Sequence, residues 1–265
     1  MVNAASAYAF VLGACVGSFL NVCICRIPAG QSVMFPRSRC ECGTPIPFWL
    51  NIPILSWLFL RGRARCCGRR ISARYLVVEL LTAVLFSAMF AVAQSTVDFA
   101  IGCTFFSLFL VAAFIDIDRM EIYDAMVIGG VLAGIILPLL SPSWHGEQSA
   151  PMALFDSLCG MCFGSGLMFW IAAFGEMAFK REAIGGGDVK LMGMVGAFIG
   201  WKGCLFAVFG GCLLSSMAVL PLLFAWKILH WKDFKLPSEI PFVPFLAVGG
   251  IAYVLLGQNL LNLLF

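Results

Sequence analysis

Apolar runs fill most of this chain, and short polar breaks between them carry nearly all of its charge. The first run extends from about Ala4 to Cys25 and ends on Arg26, with no basic residue before it. A secretory signal has the opposite arrangement, so this run reads as a retained first span. Further runs near the ~20 residues needed to cross a bilayer fall at about 75–94, 97–115, 124–141, 152–175, 188–200, 203–226 and 241–264. The pattern predicts an all-α polytopic membrane protein of about eight transmembrane helices, with both ends on one side. A loop subdomain of nearly fifty residues separates the first and second spans, giving segments 1–25, 26–74 and 75–265.

Composition strengthens that reading. The chain is 62% hydrophobic and 12% charged, with a mean hydropathy of +0.98. Soluble domains are about half apolar and a quarter charged. The net charge of +3 matters less than its placement. Segment 26–74 holds nine arginines, from Arg26 through Arg37 to Arg74. Placing it in the cytoplasm by the positive-inside rule puts sixteen of the seventeen basic residues inside, Arg181, Lys232 and Lys235 among them, and leaves Lys202 outside. Both termini are then periplasmic. The arginines suit anionic lipid headgroups, and nothing suggests nucleic-acid binding.

Of the 12 cysteines, Cys15, Cys103, Cys159, Cys162, Cys204 and Cys212 sit in apolar runs, where cysteine behaves as a small hydrophobe. Cys40, Cys42, Cys66 and Cys67 fall in the polar loop. On a reducing side, paired cysteines ligate metal more often than they form disulfides. Zinc would hold a short, arginine-rich loop without a large core. Against this, a C-x-C pair and two adjacent cysteines depart from the usual two-residue spacing of a zinc knuckle. The competing reading packs Trp49, Leu50, Ile52 and Trp57 onto the membrane surface.

Acidic residues are few. Glu41, Asp98, Glu147, Asp156, Asp233 and Glu239 sit in loops or near span ends, where solvation is a sufficient explanation. The third span instead runs into FIDIDRMEIYD, with Asp116, Asp118, Glu121 and Asp124, and the sixth opens with IGGGDVKL, which carries Asp188. Both clusters meet the same membrane face. Two close carboxylates do not both ionise easily, so one stays protonated while the other activates water. That is the chemistry of peptide hydrolysis without a covalent intermediate. The glycines are expected to form a non-helical turn that delivers Asp188 and leaves room for a substrate strand. The bland alternative is solvation, or pairing with Arg119 or Lys190. A transporter with functional carboxylates is a further alternative, but it would place acids on a path open to both sides.

Several long motifs, in order, resemble the type IV prepilin leader peptidases, GxGD aspartyl proteases of the bacterial inner membrane. They are GSFLNVCICRIP (Gly17–Pro28), PIPFWLNIPILSWLFLRGR (Pro45–Arg63), ISARYLVVELLT (Ile71–Thr82), FIDIDRMEIYD and GGGDVKLMGMVGAFIGW. The resemblance implies catalytic roles for Asp188 and for Asp116, which stands eight residues before the terminal Asp124 of its motif. It implies cleavage of the basic leader of prepilins or pseudopilins at the cytoplasmic face, serving pilus assembly or secretion. It also implies N-methylation of the new terminus from S-adenosylmethionine, with 26–74 as the candidate methyltransferase part and 75–265 as the peptidase core. A leader peptidase without methyl transfer is the alternative. The family's two C-x-x-C pairs are altered here, with Ala64 at one cysteine position, and Tyr123 replaces a usual proline. Glu79, inside RYLVVELLT, is a candidate for a part in methyl transfer.

Overall fold

A computed structural model describes residues 4–35, 38–40, 42–180, 184–229 and 240–264. Arg37, Glu41, Arg181, Lys232, Asp233, Lys235 and Glu239 lie outside the described residues. The helices run α1 (Ala4–Arg26), α2 (Leu55–Phe59), α3 (Ala73–Val92), α4 (Thr96–Arg119), α5 (Asp124–Leu140), α6 (Ala150–Phe179), α7 (Gly186–Leu229) and α8 (Val243–Leu264). Hydrocarbon offers no partner for backbone amides, so apolar segments satisfy them internally as helices. Among the described residues, five helices are long and apolar enough to cross a membrane, and α5 and α8 add shorter apolar helices. The protein is thus an all-α polytopic membrane protein, as the hydrophobic pattern predicts.

The chain forms two compact units, Met1–Val111 and Ala112–Phe265, with α4 beginning in the first and ending in the second. In the first unit, α1 packs along α3. A Cβ at Gly13 would lie 2.7 Å from Ala83 Cα, and one at Gly17 would lie 2.8 Å from Glu79 Cα. Small residues four apart let two helices approach closely, which replaces the hydrophobic drive that lipid cannot supply.

In the second unit, α7 is too long for one crossing, and its backbone breaks at Gly200 (φ 67°, ψ −178°). In a straight helix, twelve residues rise about 18 Å, yet Cys204 Sγ lies 3.9 Å from the Met192 carbonyl oxygen. The two limbs, 186–199 and 201–229, therefore fold back on each other, matching the separate spans expected at 188–200 and 203–226. Polar groups gather at the break. Trp144 Nε1 donates to the Phe198 carbonyl at 2.6 Å, an acceptor left spare where the helix stops. His145 bridges Asp156 Oδ2 and Ser157 Oγ, each at 3.0 Å. The order Ser–His–Asp is that of a hydrolytic triad, but Ser157 is fully buried, so the cluster is a clamp. Solvation, expected from sequence for both Asp98 and Asp156, fails for Asp98, which is 5% exposed, and is joined at the partly exposed Asp156 by the His145 contact.

Gly200 is required twice over, by its positive φ and because a Cβ there would lie 2.8 Å from Asp156 Oδ2. Gly200→Ala is expected to cost about 1–3 kcal/mol, read as a thermal midpoint several degrees lower in detergent. An unchanged midpoint would show that the break tolerates a side chain.

Candidate active site

Asp116 sits in the last turn of α4 and is buried. Its Oδ2 accepts the Val243 backbone amide at 3.1 Å, and the Phe242 amide also bonds to the carboxylate. Val243 opens α8, and amides in a first helical turn have no intrahelical acceptor. They also sit at the positive end of the helix dipole. The second unit therefore supplies backbone donors for a carboxylate withdrawn from water. These donors were not foreseen from the sequence. The available signal was Pro241 and Pro244 flanking the start of the last apolar run, since proline favours the first helical turn.

Asp188 lies in the first turn of α7, half-buried. Its carboxylate bonds to the Gly185 backbone and lies close enough to Asp116 for the two charges to repel. One carboxylate comes from a helix end and the other from a helix start. The remaining acids of the first cluster behave differently. Asp118 is exposed, Glu121 accepts the Tyr123 hydroxyl, and Asp124 forms an exposed ion pair with Lys190 at 2.7 Å. Lys190, a possible ion-pair partner for Asp188 by sequence, pairs with Asp124 instead. Tyr123 takes an extended conformation before α5 and does not cap it with its side chain.

The expected non-helical turn is found only at Gly185, which precedes the helix. Gly186 and Gly187 already belong to α7, and neither has a positive φ. A Cβ at Gly187 would lie 2.9 Å from Ile122 Cβ, whereas one at Gly186 would meet nothing within 4 Å. Gly187 thus permits a close approach to the segment after Asp116, whereas Gly186 is exposed and packs against nothing.

The first unit holds a second cluster. Cys40 and Cys67 Sγ are 3.6 Å apart and Cys42 and Cys66 Sγ 3.4 Å, with all four sulfurs within 4.8 Å of one another. Tetrahedral zinc–thiolate bonds of about 2.3 Å space sulfurs about 3.8 Å apart, so the four side chains fit such an ion. Two tight turns present them. The Cys40 amide donates to the Thr44 carbonyl at 2.9 Å, and the Ala64 amide to the Arg69 carbonyl at 2.8 Å. The adjacent pair does not chelate from one turn, because Cys66 faces Cys42 while Cys67 faces Cys40. The four sulfurs therefore come from two turns, a case that the one-turn spacing rule does not describe. Hydrogen bonds from the Thr44 side chain and backbone push the Cys42 thiol down to about 6. Hydrogen bonding to Cys40 and then Cys42 pushes Cys66 up to about 12. Of the residues expected on the membrane surface, Trp49 and Ile52 are exposed, while Leu50 and Trp57 are half-buried.

In the same unit the chain makes a strained turn. Ile54 has φ 62° and ψ −56°, and the Leu55 amide donates to the Pro53 carbonyl at 2.6 Å. This is a γ-turn of the rare, strained kind, centred on a β-branched residue that avoids positive φ. It aims the Ile54 amide at Glu79 Oε2, 2.7 Å away.

Comparison with known proteins places both units. Residues 11–93 match the Bacterial Peptidase A24 N-terminal domain, and residues 103–222 match the Type IV leader peptidase family. The chain is 42% identical over 213 residues to a prepilin leader peptidase/N-methyltransferase of Myxococcus xanthus, covering 79% of this chain and 59% of that protein. Proteins of the same name from Aeromonas salmonicida and Pseudomonas putida are 32% identical over 282 residues and 31% over 275. Those matches cover 95% of this chain and 90% and 91% of the relatives, respectively. No solved structure matches the chain.

A methyl group added at Gly187 overpacks a filled contact, at about 1–3 kcal/mol, whereas one at Gly186 enters open space at a helical position that favours alanine. Gly187→Ala is expected to lower the thermal midpoint by several degrees, and Gly186→Ala to leave it unchanged or raise it. Equal midpoints would rule out the close approach to Ile122.

Proposed function

Since this chain belongs to the type IV leader peptidase family, we propose that Asp116 and Asp188 are the water-activating pair of an aspartic endopeptidase for prepilins or pseudopilins. The observation that carries this reading is the convergence of these two carboxylates, one buried on backbone amides and one half-buried beside it. The ionised member takes a proton from water, and the resulting hydroxide attacks the scissile carbonyl carbon. The protonated member donates to the carbonyl oxygen. Collapse of the tetrahedral species breaks the C–N bond, and a proton passes to the leaving amine. The Val243 and Phe242 amides orient Asp116 throughout.

The same reading assigns 1–25 as the first transmembrane helix, 26–74 as the cytoplasmic cysteine- and arginine-containing subdomain with the methyltransferase part, and 75–265 as the peptidase core. The protein is placed in the bacterial inner membrane with its termini periplasmic, so cleavage falls on the cytoplasmic face. Cys40, Cys42, Cys66 and Cys67 hold zinc, supported by their mutual distances. S-adenosylmethionine is the methyl donor for the new N-terminal residue, supported by the names of the relatives.

Purified full-length protein in detergent is mixed with a prepilin-like substrate and S-adenosylmethionine, and products are read by mass spectrometry. Asp116→Asn and Asp188→Asn are each expected to lower cleavage by about 100- to 10,000-fold while keeping the thermal midpoint. Normal cleavage by either folded variant would remove that residue from the pair. Methylated product from the wild type supports the second activity, and cleaved but unmethylated product would leave a peptidase alone. For the cysteine site, elemental analysis is expected to find about one zinc per chain. The combined Cys40→Ser and Cys67→Ser variant is expected to lose it. Metal retained by that variant would locate the ion elsewhere.

A further inference from the structure

Helix α3 has 20 residues and rises about 30 Å, the thickness of the hydrocarbon core. A span with no length to spare projects little beyond the bilayer. Glu79 stands six residues after Ala73, the first residue of α3, which places it about 9 Å along the axis. At that level the Ile54 amide donates to Glu79 Oε2 at 2.7 Å, and the Ser18 side chain of α1 also bonds to the carboxylate. Helix α1 gives a similar depth. A Cβ at Gly17 would lie 2.8 Å from Glu79 Cα, and Gly17 precedes Arg26, the end of α1, by nine residues, about 14 Å of rise. The loop between the two helices therefore dips beside them, below the level of their ends.

The part of the loop that dips is apolar and faces outward. Ile52, Leu55, Leu58 and Phe59 are exposed, Phe59 at 83%. Together they make a patch of the kind that marks a membrane or protein contact. The run IPFWLNIPILSWLFL that holds them has fifteen residues, fewer than the ~20 needed to cross and suited to entering and leaving by one face. A backbone amide at this depth needs an acceptor from the protein, because hydrocarbon offers none. Glu79 is that acceptor, and the strained turn at Ile54 aims the amide at it. Charge follows at once. Arg61, Arg63, Arg65 and Arg70 are all exposed, and Arg63 faces Arg70 in an antiparallel bridge just before Ser72 caps α3. Arginines beside an apolar face, at the level where a span begins, suit anionic headgroups.

We infer that residues 52–60 form a re-entrant segment whose exposed apolar side chains insert among the acyl chains of one leaflet, with the four arginines on its anionic headgroups. The partner of this surface is the bilayer itself. Depth favours lipid over a second copy of the chain, and so does the pairing of apolar and basic faces in the order of a leaflet's own layers. Glu79 is the anchor that holds the segment at its depth through the Ile54 amide. This arrangement needs only that α1 and α3 span the membrane, and it stands apart from both proposed activities.

Full-length protein is placed in nanodiscs that contain phosphatidylglycerol. The photoreactive analogue p-benzoylphenylalanine replaces Phe59 in one variant and, as a span control, Phe169, exposed in α6, in another. After illumination, mass spectrometry reads the adducts. Lipid adduct at position 59 is expected within about threefold of the yield at position 169. Adduct to a second copy of the chain overturns the inference, and so does a position that gives no adduct because it faces water. With the probe at position 59, Glu79→Ala removes the acceptor and is expected to lower the lipid adduct about fivefold. Glu79→Gln keeps an acceptor and is expected to retain the adduct. Equal yields from the two would remove Glu79 as the anchor. Should Glu79→Ala fail to fold, the yield at position 59 alone decides the insertion. Replacing phosphatidylcholine by phosphatidylglycerol is expected to raise the thermal midpoint. The combined Arg61→Gln and Arg63→Gln variant is expected to lose roughly half of that rise, and a full rise would overturn the headgroup contact.

Discussion

A carboxylate withdrawn from water at the end of an apolar helix must be met by donors that the protein itself provides. At Asp116 those donors are the first amides of α8, and much of the second unit follows from that contact. Anchoring Asp116 to Val243 fixes where α8 begins. α8 in turn lies against the second limb of α7, where a Cβ at Gly249 would come within 2.8 Å of the Ala207 carbonyl. The first limb of α7 opens with Asp188. The chain thus forms a loop of contacts that leaves one carboxylate and returns to the other. The same backbone amides that stabilise the buried acid locate its neighbour.

The first unit meets the same constraint by other means. Its polar groups lie between helices in short turns, where side chains from distant positions cross. The cysteines pair across 27 and 24 residues of sequence, and Glu79 takes its amide donor from 25 residues away. A β-branched residue in a γ-turn is a poor local choice for the chain. Such a conflict between local preference and final structure is expected where geometry serves a site.

Much of this architecture was legible in the sequence because lipid imposes one simple rule on apolar runs. The helices fall where hydropathy places them, and even the division of α7 was visible in the polar group Trp201-Lys202 beside glycines. Asp116 and Asp188 stood out because charge is rare in such sequence. The partners of those acids were harder to read. A backbone amide has no letter of its own, so the contribution of Val243 left only the flanking prolines as a trace. Asp98 and Asp156 lie near span ends, where position suggests water, yet packing buries Asp98 and a histidine pairs with the partly exposed Asp156. The glycine triplet was ambiguous for a different reason. Glycine serves both unusual dihedral angles and close packing, and only neighbours in space, here Ile122, tell the two apart. Cysteine spacing was ambiguous similarly, since the knuckle rule concerns one turn and these four sulfurs gather from two.

The reversal at Gly200 also decides direction. It turns one continuous helix into two limbs that run out and back, so the segment leaving α7 sets off on the side from which the helix was entered, and that return turns on one residue with a left-handed φ.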